Sequence, residues 1–347
     1  MAIDLDTFLT ALYCVVDDLY QAEIAPRKPR RPGQRPAVSD SEVLTLAMLF
    51  QWQFPGGERQ FVRYAGEHWR EYFPRLLSQS AFNRRLHDLA LVLSQLGPRV
   101  AQRFFAELLR GDYEVVDGLP VPLMRRCRGD QHRLFADEAD VGRGGSDGDW
   151  YYGVKLVAAV SPTGLITGFV LSPASTEERW SVDALLRWRE DPTAPPPTAA
   201  DLAAVLGPAH RVHGQRQGPT GPIQGRSSAG QPLTGCYLAD EGERGAAWQR
   251  HWAEDYGASV VTRSALSGEL SDKERRVFTT RFRRMRQVIE TVHQALVGTF
   301  RITFPRARTL GGLFARIAAK IAAHDLSVCL NRLLHRPTFT QYYPFTQ

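Results

Sequence analysis

Two apolar runs, Trp150–Val160 and Leu165–Leu171, stand on either side of Ser161-Pro-Thr-Gly164. Aromatic and β-branched residues dominate both, and a break this short between two strands is a hairpin turn. An antiparallel pair therefore sits near the middle of the chain. Just before it, Tyr113-Glu-Val-Val116 reads as a shorter buried strand ending on Asp117, with Gly118, Pro120 and Pro122 opposing regular continuation. After the pair, Pro173-Ala-Ser-Thr-Glu-Glu178 caps a helix expected over 177–189. A second strand ending on an acid follows at Leu233–Asp240, then a helix over 244–256 and a strand over 258–262. A polar loop is expected over 264–280, and helices over 281–300 and 309–333 close the chain. The segment Leu123–Asp149 reads as an irregular charged loop. Residues 190–231, rich in Pro, Gly, Gln and Ser, read as an insertion with one short helix near 199–206.

The first 110 residues look wholly helical. Phe8, Leu9, Leu12, Val15, Val16 and Leu19 recur at helical spacing over residues 1–22. Ser39-Asp-Ser-Glu42 is a capping box ahead of Val43, Leu44, Ala47 and Met48. Further helices are expected over 57–72, 79–94 and 97–110. The helix start at Ser78–His87, with Arg84 and Arg85, suits either a DNA-recognition helix or an ordinary bundle helix. Between the first two helices lies a proline-punctuated basic arm, 26–36, carrying Arg27, Lys28, Arg30 and Arg31. It is either a phosphate-tracking arm or a linker.

The formal net charge is +6, and its cations cluster in that arm and again over Arg275–Arg308. Clustered cations in an otherwise balanced chain point to a polyanion, nucleic acid being the usual one. Hydrophobic content of 43% and charged content of 23% exclude a disordered chain. Four dispersed cysteines, Cys14, Cys127, Cys236 and Cys329, without a Cys-x-x-Cys pair exclude a zinc finger and fit a reduced compartment. Asp4 and Asp6 precede the first apolar run and no 18-residue apolar span occurs, so a cytoplasmic bacterial protein without a membrane segment is expected.

Three antiparallel strands, a helix, then strand, helix, strand and more helix is the order of a ribonuclease-H-like core. The expected fold class is thus α/β: an N-terminal all-α region (1–110), then a mixed sheet flanked by helices (111–335), then a tail (336–347). In that architecture the first and fourth strands are neighbours, so Asp117 and Asp240 would face one another. Glu290, on the helix after the last strand, would complete an acidic site. Three converging carboxylates repel, and divalent metal relieves the repulsion. Oxygen donors select Mg²⁺ or Mn²⁺, and two such ions suit in-line phosphoryl displacement. The plainer readings are that Asp117 starts a turn, Asp240 caps the next helix, and Glu290 pairs with Arg286 at i,i+4. His293 and His132 are candidate supporting groups. Asp137, Glu138, Asp140, Asp147 and Asp149 read as a solvated acidic loop.

Five stretches in order carry a resemblance: Val115-Val-Asp-Gly-Leu-Pro-Val-Pro122, Tyr152-Gly-Val-Lys-Leu156, Gly164–Ala174, Leu238-Ala-Asp240 and Arg286-Gln-Val-Ile-Glu290. Over residues 39–334 the chain resembles bacterial insertion-sequence transposases of the DDE type. The resemblance implies Asp117, Asp240 and Glu290 as the catalytic and metal-binding carboxylates. It implies cleavage at transposon ends and transfer of the 3′-OH into target DNA, with no nucleotide cofactor and no covalent enzyme–DNA intermediate. The partners implied are terminal inverted repeats and target DNA, held by a homodimer. A Tyr-x2-Arg-x3-Glu-x6-Lys signature of some relatives is half present: Arg283 stands for the Tyr and Val297 for the Lys. Arg281, Arg283, Arg284 and Arg286 make this helix a phosphate-binding candidate. Lys155 is a strand lysine that could also reach DNA. An inactive DNA-binding derivative and a nuclease on the same fold are the alternatives. A tyrosine recombinase is disfavoured, because Tyr342 and Tyr343 lack an Arg/His constellation.

Overall fold

In the structure, a computed structural model, residues 4–27, 36–52, 54, 56–124, 135, 138–144, 148–190, 224–227 (backbone), 235–264 and 271–340 are described. Helix α1 (Leu5–Leu19) starts at Asp4, whose carboxylate accepts the Thr7 N–H at 2.8 Å, and buries Phe8, Leu9, Leu12, Val16 and Leu19. Helix α2 (Asp40–Leu49) opens with the expected capping box, Ser39 and Glu42 each bonding the other's backbone N–H. Helices α3 (Glu58–His68), α4 (Gln79–Asp88) and α5 (Ala90–Phe104) follow. The break expected between 94 and 97 falls instead at Leu89, and Pro98 lies inside α5. Gly97 marks a contact, not a stop: a Cβ there would overlap Asp325 on the long C-terminal helix.

Two compact units divide the chain: Met1–Glu107 with Ala295–Arg301 and Gly311–Gln347, and Leu108–Gln294 with Ile302–Leu310. The division is not the linear one expected. Most of the C-terminal helix, expected with the sheet, belongs to the N-terminal unit, and its alanine-rich surface is buried on nearly every side. Of the expected tail, Thr338 and Thr340 are tied back to that helix by Asn331 Nδ2, at 2.7 and 2.9 Å. The basic arm beyond Arg27 and the expected helix near 199–206 lie outside the described residues.

The second unit is built on a mixed, curled sheet of seven strands among the described residues. They are β1 (Glu114–Met124), β2 (Asp140–Gly144), β3 (Asp149–Val160), β4 (Ile166–Pro173), β5 (Gln224–Ser227), β6 (Cys236–Leu238) and β7 (Ser259–Val261). The order is β5-β4-β3-β1-β6-β7, with β2 on the far part of β3. β1, β3 and β4 are antiparallel neighbours, and β6 and β7 run parallel to β1. Helices α6 (Glu178–Glu190) and α7 (Ala246–Tyr256) bury Val182, Leu185, Leu186, Trp248 and Trp252 with Val116, Val157, Val170 and Tyr237 of the sheet. Helix α8 (Asp272–Gly298) follows β7, and α9 (Leu310–Leu333) closes the chain. Among the described residues no helix is long and apolar enough to cross a membrane.

Four elements of this unit depart from expectation, the first being β5, which pairs with β4 from within the 190–231 segment expected as an insertion with one short helix. β1 does not stop at Asp117 but runs on to Met124, pairing only with β3 beyond Val115. Beyond that point β6 has left the other side, so prolines 120 and 122 sit on a strand edge where a missing N–H breaks no ladder. β2, expected as irregular loop, is glycine-rich and charged and so carries no apolar alternation. Helix α8 starts nine residues earlier than expected, at Asp272, through a second Ser-x-x-Glu cap: Glu274 accepts from Ser271 N at 3.0 Å and Ser271 Oγ at 2.6 Å.

α6 and α7 are joined by a buried polar group. Asp183 accepts from His251 Nε2 at 2.7 Å and Trp252 Nε1 at 3.2 Å, and His251 Nδ1 lies 2.5 Å from Asp255. Burial pulls the His251 pKa down, but the bonds and charges of Asp183 and Asp255 outweigh it and leave it above the ordinary 6.5. A raised histidine pKa contributes stability that is fully present below the unfolded value and is lost as pH rises through the folded one. Urea midpoints are therefore expected to fall from about pH 6.5 upward. His251→Gln should remove that part of the pH dependence.

Candidate active site

The parallel pairing of β1 with β6 places Glu114 opposite Tyr237 and Val115 opposite Leu238. Asp117 and Asp240 each lie two residues further on, so the register sets the two acids side by side. Arg286 of α8 joins them: Nη2 stands 3.2 Å from Asp117 Oδ2 and Nη1 3.0 Å from Asp240 Oδ1. Both plainer readings of these aspartates fail. Asp117 lies within a continuing strand, not at a turn, although its Oδ1 accepts the Gly118 N–H at 2.9 Å. Asp240 precedes a 3₁₀ turn (Glu241–Glu243) but makes no side-chain cap bond to it.

Glu290 is exposed, and it forms no metal-holding group with the two aspartates among the described residues. Nor does it pair with Arg286, whose two terminal nitrogens are committed to the aspartates. It lies one turn beyond Arg286 along α8, with His293 about one turn further still. His293 is largely enclosed, and burial together with the Arg286 charge pushes its pKa down to about 4, so it is a neutral imidazole at pH 7.

Two carboxylates not singled out in the sequence belong to this site. Glu178, at the start of α6, lies against Gly118, where any Cβ would overlap its carboxylate. Lys155, paired with Pro120 across the β1–β3 ladder, donates to the Thr176 carbonyl at 3.0 Å and so holds the loop leading into Glu178. Its amine is thereby tied to that loop, as the strand-lysine reading has it. Glu243, three residues after Asp240, is fully buried, and neither carboxylate oxygen has a hydrogen-bond partner. Burial, then Glu178 and Asp117, push its pKa up to about 8. Burial likewise raises Asp117 to about 6; Arg286 opposes the shift, and Glu178 and Asp240 add to it. The legible signal was the density of acids in Asp240-Glu-Gly-Glu243, directly after a strand. Glu241, the remaining one, instead accepts from Ser264 N at 3.0 Å and Ser264 Oγ at 2.6 Å, fixing the turn after β7.

The donor chemistry fits a hard divalent cation: carboxylate oxygens only, crowded enough to repel, with two oxygens left unpaired. As the side chains stand, no three His, Cys, Asp or Glu among the described residues are grouped to hold a metal, and a guanidinium bridges the two aspartates.

Of the cationic candidates, Arg281, Arg283 and Arg284 are exposed on α8, and Arg84 and Arg27 are exposed in the other unit. Arg85 is a correction. Its guanidinium is bonded to the Val38 carbonyl at 3.3 Å and to Asp40, which also accepts from Tyr20. On the same helix, Asn83 and Gln79 bond Glu58, at 3.0 and 2.9 Å. Asn83, Arg85 and Gln79 of the face read as a recognition surface are thus engaged within the helical unit, while Ser78, Gln79, Ser80 and Arg84 are exposed. Lys28, Arg30, Arg31, His132, Asp137, Asp147, Tyr342 and Tyr343 lie outside the described residues. No family model, curated protein or solved structure matches the chain.

Proposed function

We propose that this chain is a DNA transposase, cutting at transposon ends and transferring the resulting 3′-OH into target DNA. One observation carries the reading: the parallel β1–β6 register puts Asp117 beside Asp240, with Arg286 bound to both. The strand order and directions support a ribonuclease-H-like identity for the sheet, with the first and fourth strands of that fold corresponding to β1 and β6. Asp117, Asp240 and Glu290 would hold Mg²⁺ or Mn²⁺, in a pair. Bound there, the ions would activate the attacking oxygen and neutralise charge on the leaving one.

The chain's own groups do the rest. Exposed Arg281, Arg283 and Arg284 form a fork-bearing surface on α8 that suits a phosphate backbone and positions it without reading sequence. Arg286, at the centre of the acidic site, can exchange a carboxylate for a scissile phosphate while remaining paired. Neutral His293 adds no competing charge beside it. Two transposon ends need two such sites, hence a dimer on DNA.

The test is cleavage and joining in vitro on DNA ends taken from beside the gene, with Mg²⁺ or EDTA. Metal-dependent joined products are expected. Cuts without joining would favour a nuclease. Binding with no chemistry, in Mn²⁺ as well, would favour a derivative that only binds DNA.

A further inference from the structure

The first residue of α3, Glu58, is a buried carboxylate. Within the helical unit it accepts from Gln79 Nε2 at 2.9 Å and Asn83 Nδ2 at 3.0 Å on α4, and from Arg316 Nη2 at 2.5 Å on α9. Phe61, Ala65 and Trp69 bury the inner face of α3. A buried three-way tie at one end and an apolar stripe along the length fix this helix in rotation as well as in position. Two polar side chains of α4 are thus spent on orienting α3. The outward face of α3 stays exposed and carries Arg59, Gln60, Arg63 and Glu67, with Arg70 just past the end. At helical spacing these positions share an arc of about 100°. Gln60, Arg63 and Glu67 line an open groove of about 290 Å³ with the rings of Phe54 and Tyr64, whose centroids stand 5.6 Å apart. Arg63 Nε lies 3.8 Å from Glu67 Oε1, and both side chains are mostly in solvent, so the pair is weak and readily exchanged.

We propose that this face of α3 reads the base sequence of the transposon end, with Gln60 and Arg63 on base edges and Arg59 and Arg70 on the flanking phosphates. The inference rests on the DNA reading above and supplies what that reading lacks, since the α8 arginines position a phosphate backbone without specifying sequence. Arginine meets guanine, and glutamine meets adenine, through paired hydrogen bonds in the major groove. That groove, about 12 Å wide, admits a helix, and the eleven residues of α3 make one about 16 Å long. Cations outnumber acids on the surface, Arg59, Arg63 and Arg70 against Glu67 and Glu71, as a polyanion requires. Glu67 repels phosphate but can accept from the cytosine amine, so the middle of the face suits bases and its ends suit backbone.

The test is binding of the full chain to a duplex from the end beside the gene and to a scrambled duplex of the same composition, by fluorescence anisotropy over a salt series. Wild type is compared with Gln60→Ala, Arg63→Ala, Arg59→Gln and, on α4, Arg84→Gln. Wild type should prefer the end, and Gln60→Ala and Arg63→Ala should each lose about tenfold of that preference, the scale of one bidentate base contact. Arg59→Gln should instead weaken binding to both duplexes alike and lower the salt slope by about 1. Melting temperatures should hold, since all four side chains are exposed. Preference kept by Gln60→Ala and Arg63→Ala, or lost through Arg84→Gln instead, would overturn this inference and leave the transposase reading standing. If those two variants keep the preference but lose self-association in sedimentation, the face belongs to a second copy of the chain. Equal binding of both duplexes by wild type would remove the assignment and leave only the α8 phosphate contacts. If wild type binds neither duplex, this inference and the transposase reading fall together.

Discussion

Asp117→Asn is expected to remove cleavage and joining by about three orders of magnitude, the scale for losing one preorganised electrostatic element of a site. Affinity for DNA ends should change by less than about threefold, because phosphate contacts are assigned to the arginines of α8 and not to the carboxylates. Asparagine keeps the shape and the acceptor oxygen for Gly118 N–H, so the fold has little to lose. It also removes a charge that burial disfavours, for which Arg286 compensates only in part. The melting temperature is therefore expected to hold or rise, as at sites where function is retained against stability. That combination separates a chemical role from a structural one. Full activity in the variant would remove Asp117 from the chemistry. A lower melting temperature together with lost DNA binding would instead make it part of the scaffold.

How much of this was legible depended on whether a residue's role was local. The hairpin Trp150–Leu171 announced itself through consecutive apolar positions, and the α2 cap through Ser39 and Glu42, because both signals lie within a few residues. The pairing of Asp117 with Asp240 needed the strand order, and the order was readable because alternating strand and helix admit few topologies. The acids of Asp240-Glu-Gly-Glu243 were legible, but the burial of Glu243 was not, because it follows from tertiary packing that no pattern around residue 243 encodes. Arg85 was misread for the same reason. A basic residue on a polar helix looks free until Asp40 is brought to it. β2 and the nine extra residues of α8 show the converse. The first has no apolar period to detect; the second had a clear Ser271-x-x-Glu274 cap, hidden in a run that reads as polar loop.

Arg189→Met is expected to destabilise the protein by about 3–5 kcal/mol, and Glu114→Leu by a similar amount, while the double variant recovers most of the loss. Arg189 and Glu114 are both buried, and two guanidinium nitrogens meet the two carboxylate oxygens. Thr167 Oγ1 and the Tyr237 hydroxyl complete the group, each accepting from Arg189 at 2.8 Å. Removing either charge strands the other without water, whereas removing both leaves an apolar space of similar volume. Urea unfolding of the four proteins closes a double-mutant cycle, and the coupling should be several times the roughly 1 kcal/mol of an exposed pair. Coupling below about 1 kcal/mol would mean that water reaches the pair. The group matters beyond stability because of where it sits. Glu114 is three residues before Asp117, Tyr237 is three before Asp240, and the two are register partners across β1 and β6. Arg189 therefore clamps the one strand pairing that sets the aspartates side by side. In the double variant, recovered stability with reduced Mn²⁺ affinity would show that the buried charges hold the register more tightly than apolar packing does; recovery of both would show that packing alone suffices.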